Sequence, residues 1–206
     1  FSYFGVRSFG KTVDKKGKAR LTLNGKPYFF NGGVDQGYWS DGMLTYPSDA
    51  AVIEELQMLK DMGCNGYRCA HYPQATPLMD ALDENGFIVM NETRWFESTD
   101  EGKQQLETLI KRDRNRPGVI FWSLGNEEPH HCTEQGVRIL RSLVPFARKL
   151  DPSDRFIMTA ITHAAYPDED YAAGSRMTSR AEITGDRLLM TLSETMTGSG
   201  QTEQLM

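Results

Sequence analysis

The strongest strand signal in the chain is the stretch Gly118-Val119-Ile120-Phe121-Trp122-Ser123-Leu124, and it decides the fold. Its continuous run of β-branched and aromatic residues is typical of a strand in a parallel sheet that helices cover. Gly125, Asn126 and Glu127 follow directly, so polar groups come immediately after the predicted strand. The stretch therefore predicts an α/β protein with functional side chains at the end of this strand.

Similar apolar runs occur before and after this strand, and helical patterns separate them. Strands spaced about 25–35 residues apart, with helices between them, indicate βαβ units and a parallel sheet. Periodicity alone leaves two architectures open, a doubly wound open sheet and a barrel of βα units. The predicted strands are 28–34, 65–71, 87–90, 118–124 and 156–161, and the predicted helices are 49–62, 74–85, 99–112 and 133–150.

Short local signals mark the ends of several of these elements. Asn24-Gly25 supplies the positive φ angles of a hairpin turn, and Ser48 is a suitable N-cap for the first helix. Gly63 and Gly86 are placed to end the first two helices.

Composition places the chain among ordinary globular proteins. It has 206 residues, a net charge of -5, 39% hydrophobic residues and 25% charged residues. The excess of 28 acidic over 23 basic residues argues against a nucleic-acid surface. Apolar runs long enough to span a membrane are missing, and the first residues lack the pattern of a signal peptide. We therefore expect a soluble protein without nucleic-acid or membrane partners.

Nothing in the sequence predicts a cofactor or a structural metal. The three cysteines (Cys64, Cys69 and Cys132) contain no CxxC pair, and no glycine-rich phosphate loop precedes a Lys-Ser/Thr pair. The consecutive His130, His131 and Cys132 point in different directions at a helix entrance. A solvated helix cap is therefore favoured over a metal site there.

The predicted layout is one domain over residues 1–206. Residues 1–27 form lead-in strands and a hairpin, 28–165 form well-marked βα units, and 166–206 are irregular with a late strand at 188–192. A barrel of eight βα units usually takes about 250 residues. The chain is shorter by one or two units, so the last segment must pack across a gap or join a homo-oligomer.

Polar residues that follow the predicted strands define the candidate site, because ligands bind at the carboxyl ends of parallel strands. This set is rich in carboxylates and contains no Gly-x-Ser-x-Gly nucleophile elbow. Paired carboxylates suit glycoside hydrolysis, in which one protonates the leaving oxygen and the other attacks or activates water. The set comprises Asp35, Gln36, Arg68, His71, Asn91, Glu92, Asn126, Glu127, Glu128, Thr162, His163, Ser193 and Glu194.

The chain resembles glycoside hydrolase family 2, closest to its β-galactosidase branch, over about residues 4–165. The resemblance rests on seven motifs in the same order as in that family. They are Phe4-Gly5-Val6-Arg7, Leu23-Asn24-Gly25-Lys26-Pro27, Leu59-Lys60-Asp61-Met62-Gly63-Cys64-Asn65, Arg68-Cys69-Ala70-His71-Tyr72-Pro73, Asp83-Glu84-Asn85-Gly86-Phe87, Arg112-Asp113-Arg114-Asn115-Arg116-Pro117 and Trp122-Ser123-Leu124-Gly125-Asn126-Glu127.

This resemblance implies a (β/α)8 TIM-type barrel, incomplete at its C-terminal end here, and a retaining β-glycosidase acting on β-galactosides. It implies that Glu127 is the acid/base, and that Glu194, in a Ser-Glu-Thr sequence on a late strand, is the nucleophile. Asn126 is expected to bind the sugar 2-hydroxyl.

The resemblance extends to further substrate-binding residues. Arg68 and His71 are expected to contact sugar hydroxyls or the nucleophile, with an internal salt bridge as the alternative. Glu92 is expected to accept a sugar hydroxyl or to pair with Arg68. His163 and Trp122 complete the expected substrate-binding set.

The chain departs from the family pattern at several places. Arg116 replaces the histidine usual before this proline, and only 67 positions separate Glu127 from Glu194. A late aromatic strand and an eighth strand are not recognisable. The irregular stretch 166–187 and the missing final strand favour an alternative, a catalytically inactive, barrel-derived scaffold or carbohydrate-binding module.

Overall fold

The computed structural model describes residues 3–128, 130–131, 133–153 and 155–160, and the backbone of 175–184 and 187–196. The chain divides into two compact units. One comprises Phe1–Asn126 and Ile139–Ala160, and the other comprises Glu127–Arg138 and Ile161–Met206. A single domain over residues 1–206 stays a prediction.

A small antiparallel sheet forms the predicted lead-in. Strands β1 (Phe9–Val13), β2 (Ala19–Leu23) and β3 (Lys26–Pro27) pair in that order. Asn24 and Gly25 join β2 to β3 with φ angles of 51° and 74°, which is the backbone that a two-residue hairpin turn requires. The predicted Asn-Gly turn is confirmed.

A five-stranded parallel sheet forms the body of the first unit. Its strands are β4 (Gly32–Asp35), β5 (Gly66–Cys69), β6 (Ile88–Glu92), β7 (Val119–Asn126) and β8 (Phe156–Ala160), paired in chain order. This order confirms the predicted succession of βα units. Among the described residues the sheet stays open, with β4 and β8 at its edges.

The first parallel strand begins later than the sequence predicts. It starts at Gly32 instead of Tyr28. The Gly32 backbone lies directly against the carbonyl of Gly66 on β5. A Cβ atom at Gly32 would collide with that carbonyl, so this close pairing needs glycine.

Four helices alternate with the parallel strands. They are α1 (Asp49–Asp61), α2 (Thr76–Glu84), α3 (Asp100–Asp113) and α4 (Glu134–Leu150), within about two residues of the predicted ranges. Ser48 caps α1 by accepting a hydrogen bond from the Ala51 N–H, as its sequence position predicts. Gly63 follows α1 with a φ of 82°, which ends the helix. None of the described helices is long and apolar enough to cross a membrane.

The two faces of the parallel sheet differ in burial. Tyr67, Val89, Trp122 and Ile157 are buried in the apolar core together with residues of the helices. Their neighbours along the strands point to the opposite face, since side chains alternate in a strand, and several of these neighbours are only partly buried. They include Arg68, Met90, Phe121 and Met158.

Trp122 is a core residue and not a substrate contact, which corrects the sequence-based expectation. Its side chain is 1% exposed, and its indole N–H donates to Asp151 Oδ2 over 2.8 Å. Asp151 also pairs with Arg155 at 3.1 Å. The helix-facing position of Trp122 on β7 therefore removes it from the site.

A buried ion cluster centres on Arg116, which precedes β7. Its guanidinium donates to Asp113 at 2.9 Å, Asp80 at 2.7 Å, Asp83 at 3.1 Å and the Tyr3 hydroxyl at 2.9 Å. These partners lie on α2, on α3 and near the N-terminus. The arginine that departs from the family pattern thus links three separate segments.

The second unit contains a β-hairpin, and the late strand predicted at 188–192 lies within its second strand. Strands β9 (Ser175–Thr184) and β10 (Arg187–Met196) pair antiparallel in a sheet of their own. The prediction of an irregular segment is wrong for these residues. Only Gly185 and Asp186 separate the two strands, a connection that permits antiparallel pairing but is too short for a parallel crossover.

Replacing Arg116 by Met should strongly destabilise the protein. The variant leaves Asp83 buried without its cation, while Asp113 keeps Arg112 and the Asn91 amide as donors. Because breaking one side of a buried ion pair costs about 3–5 kcal/mol, we expect a loss of that size in urea unfolding. The control Lys111→Met breaks an exposed pair on α3 and should cost under about 1 kcal/mol. Equal losses in the two variants would contradict the prediction.

Trp122→Phe should destabilise the protein more at neutral than at acidic pH. Burial alone raises the pKa of Asp151, but hydrogen bonds from Ser153 and Trp122 and the charge of Arg155 bring it below its ordinary value of 3.8. A lowered pKa stabilises the fold above the unfolded-state value, and that stabilisation is lost as pH falls through the folded pKa.

The variant lacks one of the groups that hold this pKa down. We therefore expect a loss of about 2 kcal/mol at pH 7 and a smaller loss at pH 3, measured by urea unfolding. Trp95→Phe, at a half-exposed position, is the control and should change little. A loss from Trp122→Phe that is the same at both pH values would rule out this role for Asp151.

Candidate active site

The candidate site is built around Glu92, the last residue of β6. Its carboxylate is fully buried and accepts hydrogen bonds from Arg68 at 2.8 Å and from Ser123 Oγ at 2.7 Å. His71 Nδ1 lies 2.9 Å from the other carboxylate oxygen. These donors come from β5, from the loop after it and from β7, so one carboxylate ties together the ends of neighbouring strands.

Arg68 joins this carboxylate to Asn126. Its terminal nitrogen donates both to Glu92 and to Asn126 Oδ1. Its Nε is buried and has no hydrogen-bond partner within the part of the chain that the structure describes. The internal salt bridge that the sequence analysis held as an alternative for Arg68 is therefore present, and it leaves one guanidinium donor for a further acceptor.

Of the two roles predicted for Glu92, the structure shows the pairing with Arg68. Its side chain has no exposed surface, and both of its oxygens already have protein partners. It therefore pairs with Arg68 and does not face a sugar, so its expected contact with a sugar hydroxyl is corrected. We class it as a positioning residue for Arg68 and His71.

A β-bulge in β7 brings Asn126 into this network. Ser123 pairs with Met158, and Asn126 pairs with Ala160. An advance of three residues along β7 therefore matches an advance of two residues along β8. Without the shift, Ser123 and Asn126 would point to opposite faces of the sheet. Ser123 is not among the predicted site residues, because a serine inside an apolar strand gives no signal of a partner on β6.

Two side chains hold the His71 ring. A carboxylate only accepts, so Nδ1 donates its hydrogen to Glu92. Nε2 lies 3.3 Å from the side-chain nitrogen of Gln36. Gln36 follows β4, so His71 connects the site to the first parallel strand.

Asp35, the last residue of β4, is held by two donors. It accepts the Gly37 N–H at 2.7 Å and the Tyr67 hydroxyl. Burial, followed by the hydrogen bond and charge of Asp35, raises the pKa of Tyr67 far above its ordinary value. Tyr67 therefore stays protonated as a donor, and Asp35 shapes the loop after β4.

Glu127 directly follows Asn126 and opens the second unit. Its backbone has a φ of 53°, in the left-handed region, and its side chain is exposed. Non-glycine residues in this region are uncommon and concentrate at functional sites. The conformation turns the chain sharply at the end of β7, at the residue that the sequence analysis selects as the acid/base.

His131 anchors the turn that follows Glu127. Its ring Nδ1 accepts a hydrogen bond from the backbone N–H of Glu128 at 3.0 Å. The backbone N–H of His131 donates in turn to the Glu128 carbonyl at 3.0 Å. The ring is 1% exposed, so the predicted solvated cap is wrong for His131. The described residues contain no cluster of side chains able to hold a metal ion.

The position of Glu194 differs from the one that the sequence predicts. Glu194 is on β10, opposite Met177, in the antiparallel hairpin and not on a late parallel strand as expected. Its role as nucleophile stays a prediction. His163 lies outside the described residues.

The chain matches the family description "Glycosyl hydrolases family 2, TIM barrel domain" over residues 14–100 and 97–178. It is 39% identical over 140 residues to β-galactosidase BoGH2A of Bacteroides ovatus, covering 60% of this chain and 15% of that protein. It is 28% identical over 159 residues to the β-glucuronidase of Homo sapiens, covering 72% of this chain and 23% of that protein.

Solved structures show the same likeness. The Faecalibacterium prausnitzii β-glucuronidase matches with a TM-score of 0.66 and 28% identity, over 77% of this chain and 28% of that one. The chain spans less than a third of the length of these relatives. The sequence match covers most of the chain, and the structural match agrees with the parallel sheet. The chain belongs to glycosyl hydrolases family 2, in the TIM barrel domain of that family.

Proposed function

We propose that the protein hydrolyses β-glycosides with retention of configuration and that Glu127 is the acid/base. The observation that carries this proposal is the network of Glu92, Arg68 and Asn126, which ends one residue before Glu127. Arg68, paired with the buried Glu92 carboxylate, orients Asn126, and Glu127 is the next residue in the sequence.

Asn126 is oriented to recognise the sugar. A guanidinium only donates, so Asn126 must present Oδ1 to Arg68. Its Nδ2 then points its N–H groups elsewhere, where they can donate to a sugar 2-hydroxyl. Hydrogen bonds to this hydroxyl strengthen in the transition state of glycoside hydrolysis.

The proposed mechanism is a double displacement. Glu194 attacks the anomeric carbon while Glu127 protonates the leaving oxygen, and the leaving group departs as an alcohol. Glu127 then takes a proton from water, which attacks the anomeric carbon and releases Glu194. Retaining chemistry needs the two carboxyl groups about 5–5.5 Å apart.

We propose β-galactosides as the substrate class. Support comes from the relative named a β-galactosidase, which is 39% identical, against 28% for the human β-glucuronidase. Comparing the hydrolysis of nitrophenyl β-galactoside and nitrophenyl β-glucuronide tests this preference.

The hairpin favours a second candidate function. Because β10 pairs antiparallel in a separate sheet, Glu194 is not carried by a strand of the parallel sheet. A catalytically inactive, carbohydrate-binding protein would account for this placement. Such a protein would bind galactosides without hydrolysing any of the substrates below.

Glu127→Ala should lose activity in a way that depends on the leaving group. Because general acid catalysis contributes about 10²–10⁴-fold, we expect a loss of that size on methyl β-galactoside. The loss should be smaller on dinitrophenyl β-galactoside, whose leaving group needs no proton. Added azide should restore turnover of the dinitrophenyl substrate and give β-galactosyl azide, identified by NMR.

Two further variants complete this test. Glu194→Ala with azide should give the α-galactosyl azide, since azide would attack the sugar directly. Glu134→Ala, at an exposed position of α4, should leave activity unchanged. Azide products that are absent or of the opposite configuration would overturn the assignment of Glu127 and Glu194.

Asn126→Ala should matter only when the substrate has a 2-hydroxyl. We expect kcat/KM for nitrophenyl β-galactoside to fall by about 100-fold, in line with a few kcal/mol of transition-state binding. The 2-deoxygalactoside should be hydrolysed at similar rates by both proteins. Equal losses on the two substrates would show that Asn126 acts only through the structure around Arg68.

A further inference from the structure

A side chain of the neighbouring strand is bonded to the bulge in β7. At the bulge, β7 has two residues, Leu124 and Gly125, opposite the single residue Thr159 of β8. The Thr159 hydroxyl donates to the Gly125 carbonyl over 3.0 Å. Bulges are uncommon in parallel sheets, and they redirect side chains next to active sites. The bond therefore joins β8 to the residue that directly precedes Asn126.

Gly125 needs an outside contact to hold its backbone. Glycine has the widest range of backbone conformations of all residues, so the sequence alone does not fix the direction of its carbonyl. A Cβ atom at Gly125 would come within 2.7 Å of the Phe96 Cβ, so the glycine lies directly against this side chain. Phe96 is 2% exposed and restricts one side of the glycine. The Thr159 hydroxyl then sets the direction of the carbonyl.

Ser123 is a weaker partner of the same carbonyl. Its Oγ lies 3.4 Å from the Gly125 oxygen but only 2.7 Å from Glu92 Oε2. A hydroxyl has a single hydrogen to donate, and a carboxylate is the stronger acceptor. Ser123 therefore donates to Glu92, which leaves Thr159 as the donor that holds the Gly125 carbonyl.

The direction of the Gly125 carbonyl constrains the backbone of Asn126. A peptide bond is planar, so this carbonyl and the Asn126 N–H lie in one plane. Rotation of the plane would move the Asn126 side chain, whose Oδ1 accepts from Arg68. Asn126 is only partly buried, so packing holds it less firmly than the core residues of β7. The bonds from Thr159 and Arg68 thus hold Asn126 through its backbone and its side chain.

We propose that Thr159 is a positioning residue for Asn126. It acts through the Gly125 carbonyl and keeps the Asn126 amide where it donates to the sugar 2-hydroxyl. This inference rests on the proposed glycosidase function. It adds a residue of β8 to a site whose central network comes from β5, β6 and β7.

The kinetic test removes the Thr159 hydroxyl and compares two substrates. Thr159→Val keeps the branched shape but cannot donate. Because the bond to the 2-hydroxyl strengthens in the transition state, we expect kcat for nitrophenyl β-galactoside to fall about 10-fold, the size of one hydrogen bond, with little change in KM. The 2-deoxygalactoside should be hydrolysed at the same rate as by the unmodified protein. Thr159→Ser, which keeps the hydroxyl, should restore kcat.

Two further variants separate positioning from a general loss of stability. Thr108→Val removes a bond of the same kind, from a threonine hydroxyl to the Gln104 carbonyl at 2.8 Å, at an exposed position of α3. It should change neither rate. In the Asn126→Ala background, Thr159→Val should have no further effect, because both changes act through the same amide. Equal losses on the two substrates, or an added loss in the double variant, would overturn the proposal.

An NMR measurement tests the positioning without substrate turnover. The side-chain NH₂ signals of Asn126, assigned by their loss in Asn126→Ala, should shift or broaden in Thr159→Val. They should keep their positions in Thr159→Ser and Thr108→Val. Unchanged signals in Thr159→Val would refute the role of Thr159. If the unmodified protein hydrolyses neither substrate, the glycosidase function fails, and the Asn126 signals still decide whether Thr159 positions the amide.

Discussion

The site depends on the fully buried carboxylate of Glu92. A charge without exposed surface is stable only if donors surround it, and Arg68, His71 and Ser123 supply them. Each donor comes from a different segment, so satisfying one charge fixes β5, β6 and β7 against one another at their carboxyl ends. Arg68 then passes this constraint to Asn126, whose amide can take only one orientation.

Much of the fold follows from local sequence signals. The apolar run at 118–124 becomes β7, and Ser48 and Asn24-Gly25 act as the cap and the turn that their types predict. These signals depend on neighbouring residues alone. The apolar run at 188–192 indicated β10, whereas β9 was missed because most of its residues are polar.

The sequence predicts which residues lie at the site better than it predicts which contacts they make. Arg68, His71, Glu92 and Asn126 all follow from the rule that ligands bind at strand ends. Their contacts do not, because the bulge between Ser123 and Asn126 appears only when β7 pairs with β8. Trp122 shows the same limit, since alternation along the strand sends it to the helices.

The two faces of the parallel sheet differ in how their polar side chains are hydrogen-bonded. On the helix side, the Trp122 indole N–H donates to Asp151 within the core, and Asp151 also pairs with Arg155. On the other side, the Nε donor of Arg68 is buried without a partner in the described chain. The Arg68 guanidinium is held by the buried Glu92 carboxylate. A donor that is already held in place binds an acceptor with little further loss of conformational entropy, so the carboxylate that organises the strands also prepares Arg68 for the substrate proposed above.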